Sequence, residues 1–378
     1  MNVAVGFVAV VAASAIASQG ERPRLVFKAA HVVVSPGKAI PRGVIVVEDG
    51  RITSVGTDLG VPRGAAVVDY GEATIAPAFV DAHSQLGAAG EITDTSEAFT
   101  PGVRAIDALR PASRDLARAA AEGIVTFGLA PTGENVIAGL GAVVRTAGPI
   151  AGRTIRDEAF LEISLAPSAL RRDRYPATIG AALSEIRKRF EAPAGDAARD
   201  ADARALAIAR RSGEVWLEVS DPSALRLGLA LARDLSLRPV VVATGDLVEV
   251  ASEIAAAKAP VVLPPLDFRS RQAELRAPAA YAKAGVEIAF GTFEPEHAPL
   301  ALRLSASLAA ASGLDAKQAL AAITTVPARL LGVADRVGTL EAGRAADLVV
   351  LSGDPVALTS GVRAVYAGGT RIWPGNAP

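Results

Sequence analysis

Pro239-Val240-Val241-Val242, Pro260-Val261-Val262-Leu263 and Val286-Glu287-Ile288-Ala289-Phe290 are three short apolar runs, each bounded by Gly, Pro or Asp. Runs of this length and β-branched content read as buried strands. The segments between them read as helices. Asp246 supplies an N-cap for a helix to about Ala257, and a second helix spans about Ser270 to Ala284, with Gly285 as its stop. The strands begin at 239, 260 and 286, the spacing of βαβ units in a parallel sheet. Towards the N-terminus, Asp221-Pro222 places a cap and a first-turn proline before a helix over Leu225 to Leu235. Pro111 opens a helix that Gly123 closes. From Pro77 to Ala334 the chain has room for eight such units, close to the ~250 residues of a (β/α)8 barrel. A doubly wound sheet is the alternative, but Gly139-Leu140-Gly141 lacks the third glycine of a dinucleotide-binding loop.

The ends have a different texture. Val32-Val33-Val34 precedes Ser35-Pro36-Gly37, and Val44 to Val47 is followed by Asp49-Gly50, a hairpin turn signal. Arg51 to Val55 returns, and Ala66-Val67-Val68 adds a strand. Ala346 to Leu351, Val362 to Tyr366 and Thr370 to Trp373 repeat the pattern at the other end. Two half-sheets at opposite ends of a chain can complete one β-sandwich. The expected division is therefore a composite β unit from 21–76 and 335–378 around a barrel at 77–334.

Composition narrows the function. Lys plus Arg number 39 against 40 Asp plus Glu, a net charge of −1, so no basic surface for nucleic acid or an anionic membrane is expected. Aromatics at 4% argue against stacking platforms for single strands. The absence of Cys excludes disulfides, thiolate-bound zinc and a thiol nucleophile. Val3 to Ala17 is an uncharged apolar run, shorter than the ~20 residues of a membrane span, with Ala15-Ile16-Ala17 as a small-residue cleavage site. Residues 1–20 are accordingly expected to be an export signal, directing the protein to the periplasm or the medium. No lysine or arginine precedes that run.

Three stretches carry a family resemblance. Ile75-Ala76-Pro77-Ala78-Phe79-Val80-Asp81-Ala82-His83-Ser84-Gln85-Leu86-Gly87 resembles the first barrel strand of the amidohydrolase superfamily, Pro-Gly-(Phe/Leu)-(Ile/Val)-Asp-x-His-x-His. Ala321 to Gly332 is similar to the helix before that family's return to its small β domain, and Arg336 to Leu351 is similar to the return itself. Thr100 to Asp107 and Pro131 to Gly148 resemble the imidazolonepropionase-like branch. The resemblance implies a (β/α)8 TIM-like barrel with a β-sandwich built from both termini, and hydrolysis of C–N bonds at a metal held by strand ends. Its ligands would be two His from strand 1, one each from strands 5 and 6, and an Asp from strand 8. Some members add a carboxylated Lys or a bridging Glu. Neutral imidazole and carboxylate bind zinc well, and the bound water reaches a pKa near ~7.

Carried onto this chain, the set is depleted. His83 keeps the first position, whereas Gln85 stands in the second with a neutral amide. Strand 5 brings Glu218, an altered ligand. Strand 6 brings Ala243 and strand 8 Phe293, which can neither ligate nor take a proton. The single Lys between the first motif and Glu218 is Lys188, in the charged helix Arg187-Lys188-Arg189, which reads as a solvated face. The whole chain has three His: His31, His83 and His297. His83 and Glu218 are thus the candidate metal residues, and Glu294, Glu296 and His297 after strand 8 a candidate rearranged site. The bland readings are a polar loop for the latter and, for His83, a bond to Asp81 or Gln85 at the barrel mouth.

Three functions follow as expectations. The first is a degenerate hydrolase homologue with no cofactor, its barrel mouth holding a small molecule or the chain pairing in an oligomer. The second is a working hydrolase of cyclic amides or peptide-like bonds with a divalent metal such as zinc. The third is a structural or interaction protein whose mouth is closed by side chains such as Phe293.

Overall fold

In a computed structural model, residues 24–90, 92–193, 199–293 and 298–374 are described. The expected export signal, and Glu294, Glu296 and His297, lie outside them.

Both ends of the chain contribute to one sheet. Strands β1 (Leu25–Ser35), β2 (Lys38–Glu48), β3 (Arg51–Gly56), β4 (Ala66–Asp69) and β5 (Thr74–Pro77) come from the N-terminal side. The second sheet takes the next eight: β6 (Phe79–Ser84), β7 (Ile124–Leu129), β8 (Ile137–Arg145), β9 (Thr154–Ser164), β10 (Glu214–Val219), β11 (Arg238–Ala243), β12 (Val261–Leu263) and β13 (Ile288–Phe290). Strands β14 (Leu348–Leu351), β15 (Val362–Ala367) and β16 (Thr370–Trp373) then rejoin the first, whose order is β16-β15-β14-β5-β1-β2-β3, with β4 beside β1. Asp49-Gly50 turns β2 into β3 with both residues at positive φ (49° and 77°), the geometry a two-residue hairpin requires. His31 lies on β1, exposed.

The second sheet runs β13 to β6 in order and is nearly closed. Its strands are parallel except β8, which is antiparallel to both β7 and β9. This corrects the expectation of eight regular βα units: no helix separates β7 from β8, and a short 3-10 turn at Ile150–Gly152 separates β8 from β9. Direct connections permit antiparallel neighbours, whereas parallel ones need a crossover. The helices are α1 (Arg114–Ala121), α2 (Ile179–Glu191), α3 (Ala201–Ser212), α4 (Pro222–Asp234), α5 (Ala251–Ala256), α6 (Gln272–Lys283), α7 (Leu300–Ala311), α8 (Ala316–Ala321) and α9 (Thr325–Leu330). Asp221 caps α4 through the Ser223 and Ala224 amides, as expected. Helix α1 starts later than Pro111 suggested, because the Ser113 hydroxyl caps it.

The two motifs nearest the C-terminus tie these parts together. Ala322 and Ile323 bridge the gap between the last and first strands of the second sheet: Phe290 N donates to Ala322 O (3.0 Å) and Val80 N to Ile323 O (2.8 Å). Asp347 joins the two sheets. Its Oδ1 accepts from Arg145 of β8 (2.5 Å) and from Gly368 N (2.7 Å), while its carbonyl accepts from Ala78 N (3.0 Å). The inside of the second sheet is packed by Val80, Ala82, Phe160, Trp216, Val242 and Val262, among others.

Candidate functional site

The polar residues of the interior stand near the C-terminal ends of the parallel strands, where barrels carry their chemistry. His83 reaches the interior through an irregularity in β6. Asp81 pairs with Phe127 and Ser84 with Leu129, so three steps on β6 face two on β7. The extra residue breaks the in–out alternation that Val80 and Ala82 begin, and turns the His83 ring inward.

That ring is enclosed. Its Nε2 lies 3.0 Å from Glu162 Oε1 and 3.3 Å from Oε2. The pair is buried, with side chains 4% and 0% exposed. Phe293 stacks on the ring at 4.6 Å between centroids, and Trp216 lies at 6.0 Å, itself stacked on Phe160 at 4.3 Å. Nδ1 has no hydrogen-bond partner among the described residues. Burial pushes the His83 pKa down, but the charge of Glu162, its hydrogen bond, and the charges of Glu218 and Asp81 outweigh this and raise it.

Asp81 staples the first strand to the last. Its Oδ1 accepts from the amides of His83 (3.2 Å) and Thr292 (3.1 Å), and its Oδ2 from the Thr292 hydroxyl (2.6 Å), which also lies 3.0 Å from Ser84 Oγ. Burial raises its pKa to about 6 against the pull of those bonds. The Phe293 amide donates to the His83 carbonyl (3.1 Å). Phe293 itself has φ 51°, a conformation that costs a bulky L-residue of order 1 kcal/mol or more.

Glu218 sits on β10, buried like His83. Burial, followed by the charge of Glu162, lifts its pKa to about 7; His83 and a hydrogen bond with Ser164 oppose the rise. The Pro131–Asn135 loop lies directly on it: a Cβ built on Gly133 would fall 1.8 Å from Glu218 Oε2. Ser168 pins that loop through the Gly133 carbonyl (2.9 Å).

His83 and Glu218 therefore share one buried cluster. Gln85 lies just past β6, half-buried, and Ala243 closes β11 fully buried. The expectation that the His83 ring bonds Asp81 or Gln85 is corrected: Asp81 takes only the backbone amide, and the ring goes to Glu162. The sequence expectations do not include Glu162, because the lysine that the resemblance implies leads only to Lys188. The signal of Glu162 is a lone acid in the apolar run Phe160-Leu161-Glu162-Ile163. Among the described residues, no group of three or more His, Asp and Glu side chains is arranged to hold a metal ion. The described residues do not fit the ligand set that the resemblance implies: Nε2 of His83 is engaged by a carboxylate, and a phenyl ring covers its face.

Fold and cluster define an α/β-barrel protein with its ionisable groups buried at the strand ends. A sequence profile of the Amidohydrolase family matches residues 235–372. The imidazolonepropionase of Cupriavidus necator is 29% identical over 356 residues, covering 83% of this chain and 85% of its own. That of Cupriavidus pinatubonensis is 28% identical, with 83% and 84% covered. The crystal structure of an amidohydrolase from Thermotoga maritima superposes with a TM-score of 0.83 at 24% identity, covering 92% of this chain and 99% of that one. By these matches the chain is similar to the amidohydrolase superfamily and, within it, to the imidazolonepropionases.

Proposed function

We propose that this chain is an exported amidohydrolase-family protein whose metal centre has been replaced by a buried ionic cluster, leaving it inactive or strongly altered as a hydrolase. The family hydrolyses through metal-bound water, which needs an open coordination position and about three protein ligands. The observation that carries the reading is the engagement of His83. Its Nε2 faces Glu162 at 3.0 Å and its ring face is covered by Phe293, so the one retained His is committed to protein partners. The TIM-like barrel, the sandwich at the chain ends and the signal at 1–20 belong to the same proposal; the apolar run Val3 to Ala17 supports export.

One observation favours a second reading, a metal-dependent hydrolase of cyclic amide or peptide-like C–N bonds. Glu162 adds a third ionisable side chain to His83 and Glu218, and a His–carboxylate spacing of 3.0 Å is also what two ligands of one ion show. Elemental analysis of protein purified from zinc- and manganese-supplemented medium decides between them. The first reading expects well under one metal per chain, with no change in a His83→Ala variant. Near-stoichiometric metal that His83→Ala removes would establish the second.

A further inference from the structure

Outside the barrel interior, a cavity of about 300 Å³ lies between the loops that follow β11 and β12 and helix α6. This is the lower end of the size range of small-molecule pockets, ~300–1,000 Å³. Its apolar walls include Leu263, Leu266, Pro278, Tyr281 and Phe290, enough for one ring or a short branched chain. The loop on one side is firmly held. Leu266 N donates to Ser305 Oγ (2.7 Å), Asp267 N to Ser270 Oγ (3.0 Å), and Arg269 N to Asp267 Oδ1 (2.7 Å). The same turn presents Phe268, 79% exposed, beyond the cavity.

The polar groups at this cavity are mainly acceptors. Pro278 lies inside α6 and has no N–H, so the carbonyl of Glu274 lacks its helical donor. Asp246 stands across from the helix; its charge reaches the Tyr281 hydroxyl and, after burial, is a cause of that group's raised pKa. Arg271 is the one cation among the lining residues, and Glu274 occupies it, with Nε to Oε1 at 2.7 Å and Nη2 to Oε1 at 2.5 Å. Two carboxylates against one paired guanidinium leave an excess negative charge over an apolar floor.

We propose that this cavity is a binding site for a small primary amine carrying a single ring or a branched aliphatic group. The apolar walls take the hydrocarbon part, and the ammonium faces Asp246, the Tyr281 hydroxyl and the Glu274 carbonyl that Pro278 leaves without its helical donor. The site is separate from the His83 cluster and does not depend on whether the barrel interior binds metal.

The test uses the full chain and three ring-matched probes, benzylamine, benzyl alcohol and benzoate, followed by saturation-transfer NMR and titration calorimetry at pH 7. Benzylamine is expected to bind saturably and about fivefold more tightly than benzyl alcohol, the upper range for an exposed ion pair, with benzoate weakest. Asp246→Asn brings benzylamine down to the level of the alcohol. Ala273→Trp, at an exposed position of the lining, removes binding of all three with an unchanged circular dichroism spectrum. The proposal is overturned if benzylamine shows no saturable binding, if benzoate binds as well as the amine, or if Ala273→Trp retains binding.

Discussion

His83 Nε2 and Glu162 Oε1 are 3.0 Å apart, both buried, on the first and fourth strands of the second sheet in chain order. Such a pair is costly to break and cheap to replace, because removing one partner strands the other's charge in a low-dielectric interior. Glu162→Ala is therefore expected to lose about 3–5 kcal/mol. The double variant His83→Leu/Glu162→Leu should lose less than either single truncation. Urea unfolding monitored by Trp216 fluorescence measures both, and a double variant worse than the singles would show that the pair is a net stabiliser.

Three groups in this cluster titrate with the same sign. Asp81 rises from an ordinary 3.8 to about 6, Glu218 from 4.5 to about 7, and His83 rises above 6.5. Each binds its proton more tightly folded than unfolded. The carboxyl contributions are thus fully present below pH 3.8 and 4.5 and are lost as pH rises through about 6 and 7; that of His83 is fully present below 6.5 and lost above it. The urea midpoint is expected to fall between pH 5 and 8. Glu218→Gln should flatten that slope; a slope unchanged by the substitution would remove Glu218 as a cause.

The parallel part of the barrel was legible because β11 to β13 are short apolar runs with helical segments between them. Asp221 and Gly285 mark element ends through local chemistry, whereas the helix expected from Asp246 is corrected: Asp246 accepts from Val248 N ahead of a 3-10 turn at Val248–Val250, and α5 begins only at Ala251 with no side-chain cap. The β7 to β9 segment was not legible in this way. Its strands carry no signal of direction, and Ile137 to Arg145 reads as one more apolar run. In the site, His83 and Glu218 were singled out through the family resemblance, not from spacing within the chain. The partnership with Glu162 was not legible, because it joins residues 79 apart through a β6 irregularity that no periodicity announces. Gly133 is likewise unremarkable in Pro-Thr-Gly-Glu-Asn, and only packing shows that it must lack a side chain.

That packing gives a third prediction. Gly133→Ala places a Cβ 1.8 Å from Glu218 Oε2, so the loop or the carboxylate must move. A loss of about 1–3 kcal/mol is expected, typical of overpacking. Shortening Glu218 removes the obstacle. The pair Gly133→Ala/Glu218→Ala should therefore show a favourable coupling of about 0.5–3 kcal/mol in a double-mutant cycle. Simple additivity would place the Gly133 contact elsewhere.

Restoring the ligand types asks whether the scaffold still fits a metal. Gln85→His, Glu218→His, Ala243→His and Phe293→Asp together recreate the set that the family resemblance implies. Phe293→Asp does two things at once: it uncovers the His83 ring and puts a residue that tolerates positive φ where φ is 51°. Alone it supplies too few ligands, and metal uptake is expected to stay well under one per chain. The fourfold variant, purified from zinc-supplemented medium, is expected to approach one or two metals per chain by elemental analysis. A fourfold variant that folds by circular dichroism but takes up no metal would mean that the backbone at these strand ends has diverged along with the side chains.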